Sequence, residues 1–383
     1  MGRGSGPLAG VTVLELAGIG PGPFACMALA DMGAEVIKID RPEAGGVPTR
    51  REVDIVNRGK RSVVLDLKTS EGVEAALTLA ARADVLVEGF RPGVAERLGL
   101  GPEVLARRNP ALVYARMTGW GQDGPLARTA GHDISYIAVT GALHAIGDAA
   151  GPPRIPLNLL GDFGGGSTYL VIGILAALTE ARATGSGQVV DAAIVDGTAH
   201  LLATIHQLLG SGRWQDRRGV NLLDGGTPYY SVYETADGGY MAVGALEPKF
   251  YATLLATLEI PPEVADPADQ QDRGRWPELR ELFARTFATR TRAEWTEIFD
   301  GTDACVAPVL SLLEAPSHPH VAARGSVVEH GGVPRPGHAP RFSAHPNTVL
   351  ADAPVPGADT VEVLRAVGLD ADALVRSRAA FAS

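Results

Sequence analysis

Three titratable side chains stand beside glycine or proline where helices are expected to begin. His132 lies in AGHDISY, after a glycine and at the start of an apolar helical pattern. A helix start offers unpaired backbone N–H groups and a positive dipole end, which suit an oxyanion or a carbonyl. An imidazole titrates near neutrality, so His132 is a candidate for proton transfer, and Asp133 is expected to cap the helix.

Asp162 and Glu247 are the two candidate carboxylates. Asp162 precedes Phe163 and three glycines in NLLGDFGGGS, ahead of a helix without a polar face. Either it caps that helix while the glycines pack closely, or the glycines admit a ligand beside it. Glu247 in VGALEPKFY precedes Pro248 and is also explained as a helix-start carboxylate.

Metal and thiol chemistry are disfavoured by the spacing of potential ligands. His318 and His320 have no Cys or carboxylate cluster nearby, so we expect no metal site. Cys26 and Cys305 are far apart in apolar contexts, which predicts buried, reduced thiols.

The elements that must position these residues alternate between β-rich and helical runs from Val11 to about Arg116. This pattern predicts an α/β fold with a parallel sheet flanked by helices, whose ligands bind at the carboxyl ends of the strands. The segments just past those ends are Gly18 to Pro23, Asp40 and Arg41, Lys68, Gly89 to Arg91, and Thr118 onward.

The first turn, in ELAGIGPGPFA, resembles a dinucleotide-binding fingerprint only in part. Gly18 and Gly20 keep the spacing, but Pro23 replaces the third glycine, and Pro21 and Pro23 remove two N–H donors from the phosphate cradle. An NAD-dependent dehydrogenase is therefore disfavoured, although the strand, turn and helix remain.

Turn-rich sequence divides the chain. GSGRWQDRRGVNLLDGG reads as an excursion between domains, and a hairpin around Asp237 to Gly239 and a helical region follow it. We expect a large domain from residues 1–208 and 330–383, a linker at 209–226, and a small α+β domain with a return linker at 227–329.

Composition excludes several classes of protein. The 383 residues are 45% hydrophobic and 20% charged with a formal charge of −10, which disfavours binding to nucleic acid or a membrane surface. MGRGSGPLAG lacks a signal core and no apolar run reaches about 18 residues, so we expect a cytoplasmic protein. Lys38, Lys60 and Lys68, three of the four lysines, fall early and favour an anion site there.

Taken together, ten ordered motifs from Glu15 to Tyr251 resemble the family III CoA-transferase superfamily and, within it, the α-methylacyl-CoA racemases. They are ELAGIGPGPFA, IDRP, LDLK, EGFRPGVAERLGLGP, YARMTGWGQDGP, AGHDISY, NLLGDFGGGS, GQVVDAAIVDG, LLDGGTPYYSVYET and VGALEPKFY. The resemblance implies a Rossmann-like large domain, a smaller domain, and an interlocked homodimer. It also implies an acyl-CoA substrate in fatty acid or lipid metabolism, with no further cofactor.

The resemblance places coenzyme A contacts along the large domain, where the basic members suit the phosphates. The implied positions are Arg41, Leu65, Asp66, Leu67, Lys68, Gly89, Phe90, Arg91, Arg97, Gly131, His132, Asp133, Ile134, Ser135 and Tyr136.

The resemblance assigns His132 and Asp162 to opposite faces of the substrate α-carbon, with Glu247 supporting His132. The implied reaction is 1,1-proton transfer through an enolate, whose oxygen is bound at the helix start near Asp133. The principal alternative is CoA transfer between carboxylic acids, with Asp162 as nucleophile in an acyl-aspartyl anhydride. A noncatalytic acyl-CoA-binding protein is the alternative from another class.

Overall fold

The protein, a computed structural model, is described for residues 5–42, 51–346 and 350–383. Its first half contains β1 (Thr12–Leu16), α1 (Pro21–Asp31), β2 (Glu35–Asp40), β3 (Arg61–Leu65), α2 (Ser70–Ala80), β4 (Val85–Glu88), α3 (Val94–Arg97), α4 (Pro102–Arg108), β5 (Val113–Thr118), α5 (Asp133–Val139), α6 (Ala142–Ala145), α7 (Thr168–Thr184), β6 (Val189–Ala193) and α8 (Ile194–Leu201). A π-helix, Leu159–Ser167, runs directly into α7.

The remaining elements are α9 (Ala203–Gly210), β7 (Tyr230–Glu234), β8 (Tyr240–Gly244), α10 (Pro248–Thr257), α11 (Trp276–Phe287), α12 (Arg292–Phe299), β9 (Val306–Pro308), α13 (Pro319–Arg324), β10 (Val327–His330), β11 (Val333–Pro336), α14 (Thr360–Ala366), α15 (Ala371–Arg376) and β12 (Ala380–Phe381). Short 3₁₀ turns lie at Ile55–Asn57, Pro267–Asp269 and Ala315–Ser317.

The main sheet has seven strands in the order β12-β3-β2-β1-β4-β5-β6. The pairings among β1 to β6 are parallel, and β12 pairs antiparallel with β3. Successive residues of β1 enter cores on opposite faces: Val13 packs in the cluster containing α1 and α7, and Leu14 in the one containing α2 and α14. A parallel sheet needs both faces covered, so the expected α/β architecture is confirmed.

The carboxyl ends of the strands lie along one edge of this sheet. Leu16 pairs with Ile39, Asp40 with Val64, and Glu88 with Arg116. The segments that follow β1, β2, β3 and β4 therefore leave the sheet side by side, as the sequence pattern predicts.

The chain forms two compact units. The first contains the described residues up to Thr140, Leu157–Leu201, and those from Pro316 on; the second contains Gly141–Pro156 and Leu202–Ala315. The sequence prediction has the chain leave the large domain at residue 209 and return to it at residue 330, and it keeps residues 141–156 in the large domain. Turn-rich sequence indicates roughly where the chain passes from one unit to the other. The exact limits of a compact unit depend on which residues pack together.

The second unit combines an antiparallel sheet, β7-β8-β9, with helices around an aromatic core. The predicted hairpin is present: Glu234 pairs with Tyr240 across a turn in which Gly238 has φ +75°. Asp237 stabilises this turn by accepting a hydrogen bond from Thr235 Oγ1 at 2.6 Å.

One expectation about helix length is wrong. The continuous helix Leu159–Thr184 has 26 residues and is long and apolar enough, by length and composition alone, to cross a membrane. The sequence has no uninterrupted apolar run of about 18 residues, but glycines and hydroxyl residues continue the helix beyond its apolar part. Core helices of soluble proteins pass the same test, and a third of the most apolar stretch is buried.

Candidate active site

His132 lies immediately before α5, at the N-cap position, with extended backbone angles. Its carbonyl accepts hydrogen bonds from the N–H groups of Ser135 at 2.8 Å and Tyr136 at 3.3 Å. Its imidazole does not cap the helix and is exposed. The cap was expected at Asp133, which is instead the first helical residue because the helix begins one position earlier.

The buried Asp133 carboxylate connects α5 to the π-helix. Its Oδ2 accepts a hydrogen bond from the backbone N–H of Asp162 at 2.7 Å. A Cβ on Gly161 would lie 2.3 Å from the same oxygen, so only glycine fits beside this bond. Asp133 therefore holds the segments that carry His132 and Asp162 in a fixed relation.

Asp162 is half-buried within the π-helix and is not a helix cap, so the cap predicted by one reading of its sequence context is wrong. Burial raises the pKa of its carboxyl above the ordinary value; a hydrogen bond from Asn158 opposes this rise, the charge of Asp133 adds to it, and His132 lowers it. Asn158 Nδ2 lies 3.4 Å from Asp162 Oδ2. His132 therefore lies near enough to Asp162 for its charge to act on that carboxyl.

The three glycines after Phe163 serve close packing. A Cβ on Gly165 would lie 2.5 Å from Thr198 Oγ1, and a Cβ on Gly197 of α8 would lie 1.8 Å from the Gly165 carbonyl oxygen. The backbones of the π-helix and α8 are thus in direct contact. Short π-helical segments are frequent at functional sites.

The turn between β1 and α1 packs against the π-helix on another side. A Cβ built on Gly20, which has φ +73°, would lie 3.5 Å from Asp162 Oδ2. The rings of Phe24 and Phe163 stack with centroids 4.5 Å apart, and Ser167 Oγ donates to the Pro21 carbonyl at 2.7 Å. The glycine-rich turn is therefore a wall of the site.

Tyr136 fills the space between α5 and the segment after β5. Its ring meets Trp120 edge-on at 4.8 Å, and a Cβ on Gly119 or Gly131 would overlap it. Burial raises the pKa of Tyr136, the charge of Asp162 adds to the rise, and Arg91 lowers it. The loop after β4 is thus electrostatically linked to the site.

The basic residues implied for coenzyme A are exposed at or near the strand ends. They are Arg41 after β2, Lys68 after β3, and Arg91 and Arg97 after β4.

Other predicted contact positions are partly committed to the fold. Leu65 is buried in the core and Phe90 packs against it, which leaves backbone at both positions for a ligand. Asp66 Oδ1 accepts a hydrogen bond from the Lys68 N–H at 2.9 Å and shapes that turn.

The expected early anion site is wrong for two of its three lysines. Lys38 pairs with Asp40 at 2.9 Å, and Asp40 also accepts a hydrogen bond from Ser62 Oγ at 2.7 Å. Lys60 is buried against Glu15. Lys38 and Asp40 are two residues apart on β2 and so share a face of the sheet, whereas the pairing of Lys60 with Glu15 joins distant positions that sequence alone does not reveal.

A buried charge network at the ends of β4 and β5 was missed by the sequence reasoning. Arg116 lies 3.4 Å from Glu88, pairs with Glu96, and donates to Gln122 Oε1 at 2.6 Å. Burial raises the pKa of Glu88 to about 7, although Arg116 and the Phe90 N–H act against the rise. Polar residues inside otherwise apolar strands, as in VLVEGF and ALVYARM, were the available signal.

Glu247 and Cys305 belong to the second unit. Glu247 is exposed at the N-cap position of α10, as its helix-start reading predicts, and its support of His132 stays a prediction. Cys305 is exposed, contrary to expectation, because it lies in a loop with φ +55° before β9; Cys26 is buried as expected. Within residues 5–42, 51–346 and 350–383, no group of three or more His, Cys, Asp or Glu could hold a metal ion.

Fold and site together define an acyl-CoA enzyme class. Residues 8–360 match the CoA-transferase family III profile, and the chain belongs to that family. The α-methylacyl-CoA racemase of Mus musculus is 47% identical over 371 residues, covering 96% of this chain and 95% of the relative. Its Homo sapiens counterpart is 48% identical over 332 residues, covering 86% and 85%.

Two further proteins of this family share less sequence with the chain. The succinyl-CoA:glutarate CoA-transferase of Homo sapiens is 31% identical over 379 residues, covering 94% of this chain and 86% of the relative. The crystal structure of a CaiB/BaiF family protein from Brucella suis superposes with a TM-score of 0.80 at 28% identity, covering 95% of this chain and all of that one.

Proposed function

We propose that this protein interconverts (R)- and (S)-2-methylacyl-CoA thioesters by 1,1-proton transfer. The observation that carries the proposal is that His132 and Asp162 lie on two segments joined by the Asp133 to Asp162 hydrogen bond, with the charge of His132 acting on the Asp162 carboxyl. Similarity supports it, since two racemases are 47% and 48% identical to the chain and the CoA-transferase named above is 31% identical.

Two acid–base groups are needed because one group would usually return the proton to the face from which it came. In one direction the neutral His132 imidazole takes the α-proton, the C–H electron pair forms the enolate, and protonated Asp162 donates its proton to the opposite face. His132 then carries a proton and Asp162 a negative charge. Exchange with solvent, or the reverse reaction, restores the starting state.

The environment of Asp162 suits this role. A carboxyl must be protonated when it acts as the acid, and burial near Phe163 and the negative charge of Asp133 both raise its pKa. Asn158 limits the rise, so the carboxyl also remains able to act as a base in the other direction.

The enolate oxygen requires donors in place before reaction. The first N–H groups of a helix have no intrahelical acceptors, and α5 begins at Asp133. We assign the thioester oxygen to the backbone N–H of Asp133, whose side chain is already bonded to Asp162.

Coenzyme A is the carrier part of the substrate, and no further cofactor enters the reaction. Its phosphates would be bound by the exposed Arg41, Lys68, Arg91 and Arg97 at the sheet edge, with Arg able to make bidentate contacts. The backbone of Leu65–Lys68, Gly89–Arg91 and Gly131–Tyr136 would contact the rest of the carrier. Glu247 would support His132.

A homodimer, interlocked as in the family resemblance, is part of the proposal. Large apolar side chains of the first unit are exposed, including Leu157, Leu159, Ile172 and Leu201. A second copy of the chain is the occupant that the resemblance implies for this face. Light scattering should give twice the 39.9 kDa chain mass for the wild type and a smaller mass for Ile172→Glu. Glu71→Lys, at an exposed position of α2, is the control.

The experiment that tests the reaction is proton NMR of one stereoisomer of a 2-methylacyl-CoA in D2O without an acceptor acid. Racemisation predicts loss of the α-proton signal and appearance of both stereoisomers. No exchange, followed by thioester transfer once a carboxylic acid is added, would instead make Asp162 the nucleophile of a CoA-transferase. Binding without either reaction would identify a noncatalytic acyl-CoA-binding protein.

A further inference from the structure

A buried ion pair lies beneath the turn that contacts Asp162. Lys60 Nζ is 2.6 Å from Glu15 Oε2, and both side chains are almost completely buried. Removing two charges from water is unfavourable, and well-packed apolar residues in their place are often at least as stable. Stability alone is therefore a poor explanation for charges at these two positions.

Lys60 has two further acceptors, and together its partners enclose the turn. Its ammonium donates to the Pro23 carbonyl at 3.0 Å and to Asn57 Oδ1 at 3.2 Å. Glu15 lies in β1 before the turn, and Pro23 lies in the first turn of α1 after it. One ammonium group thus ties both ends of the glycine-rich turn to the segment that precedes β3.

This turn reaches Asp162 directly. Gly20 is the wall beside Asp162 Oδ2, where an added Cβ would approach to 3.5 Å. Ser167 Oγ lies 2.7 Å from the Pro21 carbonyl and 3.1 Å from the Asp162 carbonyl, so its hydroxyl bridges the turn and the π-helix. A displacement of the turn would therefore change the wall beside the Asp162 carboxyl and, through Ser167, pull on the Asp162 backbone.

We propose that Lys60 and Glu15 are positioning residues for Asp162: they fix the turn from Gly18 to Pro23, and the turn fixes the Asp162 carboxyl relative to the substrate α-carbon. The inference rests on the proposed racemase reaction. A positioning role of Lys60 and Glu15 differs from a purely structural role, because loss of the pair would displace Asp162 and leave His132 in place.

A positioning role and a purely structural role predict different ratios of α-proton exchange to racemisation in D2O. When Asp162 is displaced, His132 still takes the proton from its own face and can return a deuteron there. Exchange with retention of configuration then continues while inversion slows. A protein that is only less stable loses both rates in the same proportion.

The test variant is Lys60→Met combined with Glu15→Gln, which removes both charges and leaves neither unpaired. We expect kcat for racemisation to fall about 10- to 100-fold with KM within about twofold, as for a catalytic group displaced by a fraction of an ångström to 1 Å. Starting from the stereoisomer that His132 deprotonates, the exchange-to-racemisation ratio should rise about tenfold.

Arg61→Met is the matched control, because Arg61 pairs with Glu35 and Asp359 and has no described contact with the turn. It should leave the ratio unchanged. If the double variant does not fold, Ser167→Ala removes the hydroxyl bridge and should raise the ratio in the same direction. A folded double variant, or Ser167→Ala, with the wild-type ratio overturns the inference, and a wild type that does not racemise overturns the proposed function itself.

Discussion

His132 and Asp162 belong to one site but are held in very different ways. His132 lies at an exposed helix start, where only its backbone bonds to α5. Asp162 lies inside a π-helix, with its N–H bonded to Asp133, Asn158 beside its carboxyl, and Gly20 and Phe163 close by. The histidine side chain is exposed, whereas the aspartate side chain is half-buried.

The more buried setting of the carboxyl suits the proposed reaction, because a carboxyl and an imidazole differ in proton affinity. An imidazole titrates near neutrality in water, but an ordinary Asp carboxyl releases its proton about three pH units lower. To exchange a proton with His132 through the substrate, the carboxyl must be brought closer to neutrality by its surroundings. Burial and the charge of Asp133 act in that direction.

Removing either acid–base group should have the largest effect. We expect His132→Ala and Asp162→Ala each to lower kcat for racemisation by about 10³-fold or more, since each removes one half of the proton transfer. Chiral separation of the acyl products over time measures the rate. If CoA transfer is the real reaction, Asp162→Ala alone is fatal and His132→Ala is merely damaging.

Gly161→Ala probes the bond that joins the two regions. The new methyl would lie 2.3 Å from Asp133 Oδ2 and 2.9 Å from Ile137 Cγ2. Overpacking of this kind destabilises by about 1–3 kcal/mol, and separation of the segments should lower racemisation about 100-fold. Gly210→Ala, where nothing lies within 4 Å, is the control for thermal unfolding and rate. Equal thermal stability and equal racemisation rates of the two variants would show that the Asp133 to Asp162 hydrogen bond is not needed.

Glu88 is comparable with Asp162, because burial raises the pKa of its carboxyl as well. Between pH 4.5 and about 7 the folded protein retains a proton on Glu88 that the unfolded chain has released, so stability falls as pH rises through this window. The upper limit of the change is about 3 kcal/mol.

Glu88→Gln should flatten this part of the pH profile, measured by urea unfolding at several pH values. Glu74→Gln, at an exposed pair with Arg108, should leave the profile unchanged. A profile equally steep in Glu88→Gln and the wild type would contradict the assignment.

The smallest effect is expected at the exposed basic edge of the sheet. Arg91→Ala should raise KM for the acyl-CoA about tenfold with kcat nearly unchanged, because a phosphate contact acts equally on ground and transition states. Added salt should weaken binding to the wild type more than to the variant. Arg285→Ala, at an exposed position of α11 in the second unit, is the control. A change in kcat alone would move Arg91 from binding to catalysis.

The sequence predicts the sheet edge better than the interior of the site. Strand periodicity places Arg41, Lys68 and Arg91 just after β2, β3 and β4, because the end of a strand is a local property. Motif resemblance singles out His132 and Asp162.

Contacts made between distant segments are not visible in this way. The Asp133 to Asp162 bond, the approach of Gly20, and the pairing of Lys60 with Glu15 join positions far apart in the chain. The glycines pack closely on α8, as one reading of the sequence predicts, but they lie within a π-helix and not just before a helix start.

The most direct test of the central claim is α-proton exchange in D2O by Asp162→Asn, measured by NMR with each stereoisomer separately. Two opposed groups predict that one stereoisomer, the one His132 deprotonates, still exchanges its α-proton with retained configuration, while the other does not exchange and neither racemises. Equal exchange from both stereoisomers, or continued racemisation, would show that Asp162 is not the second acid–base group.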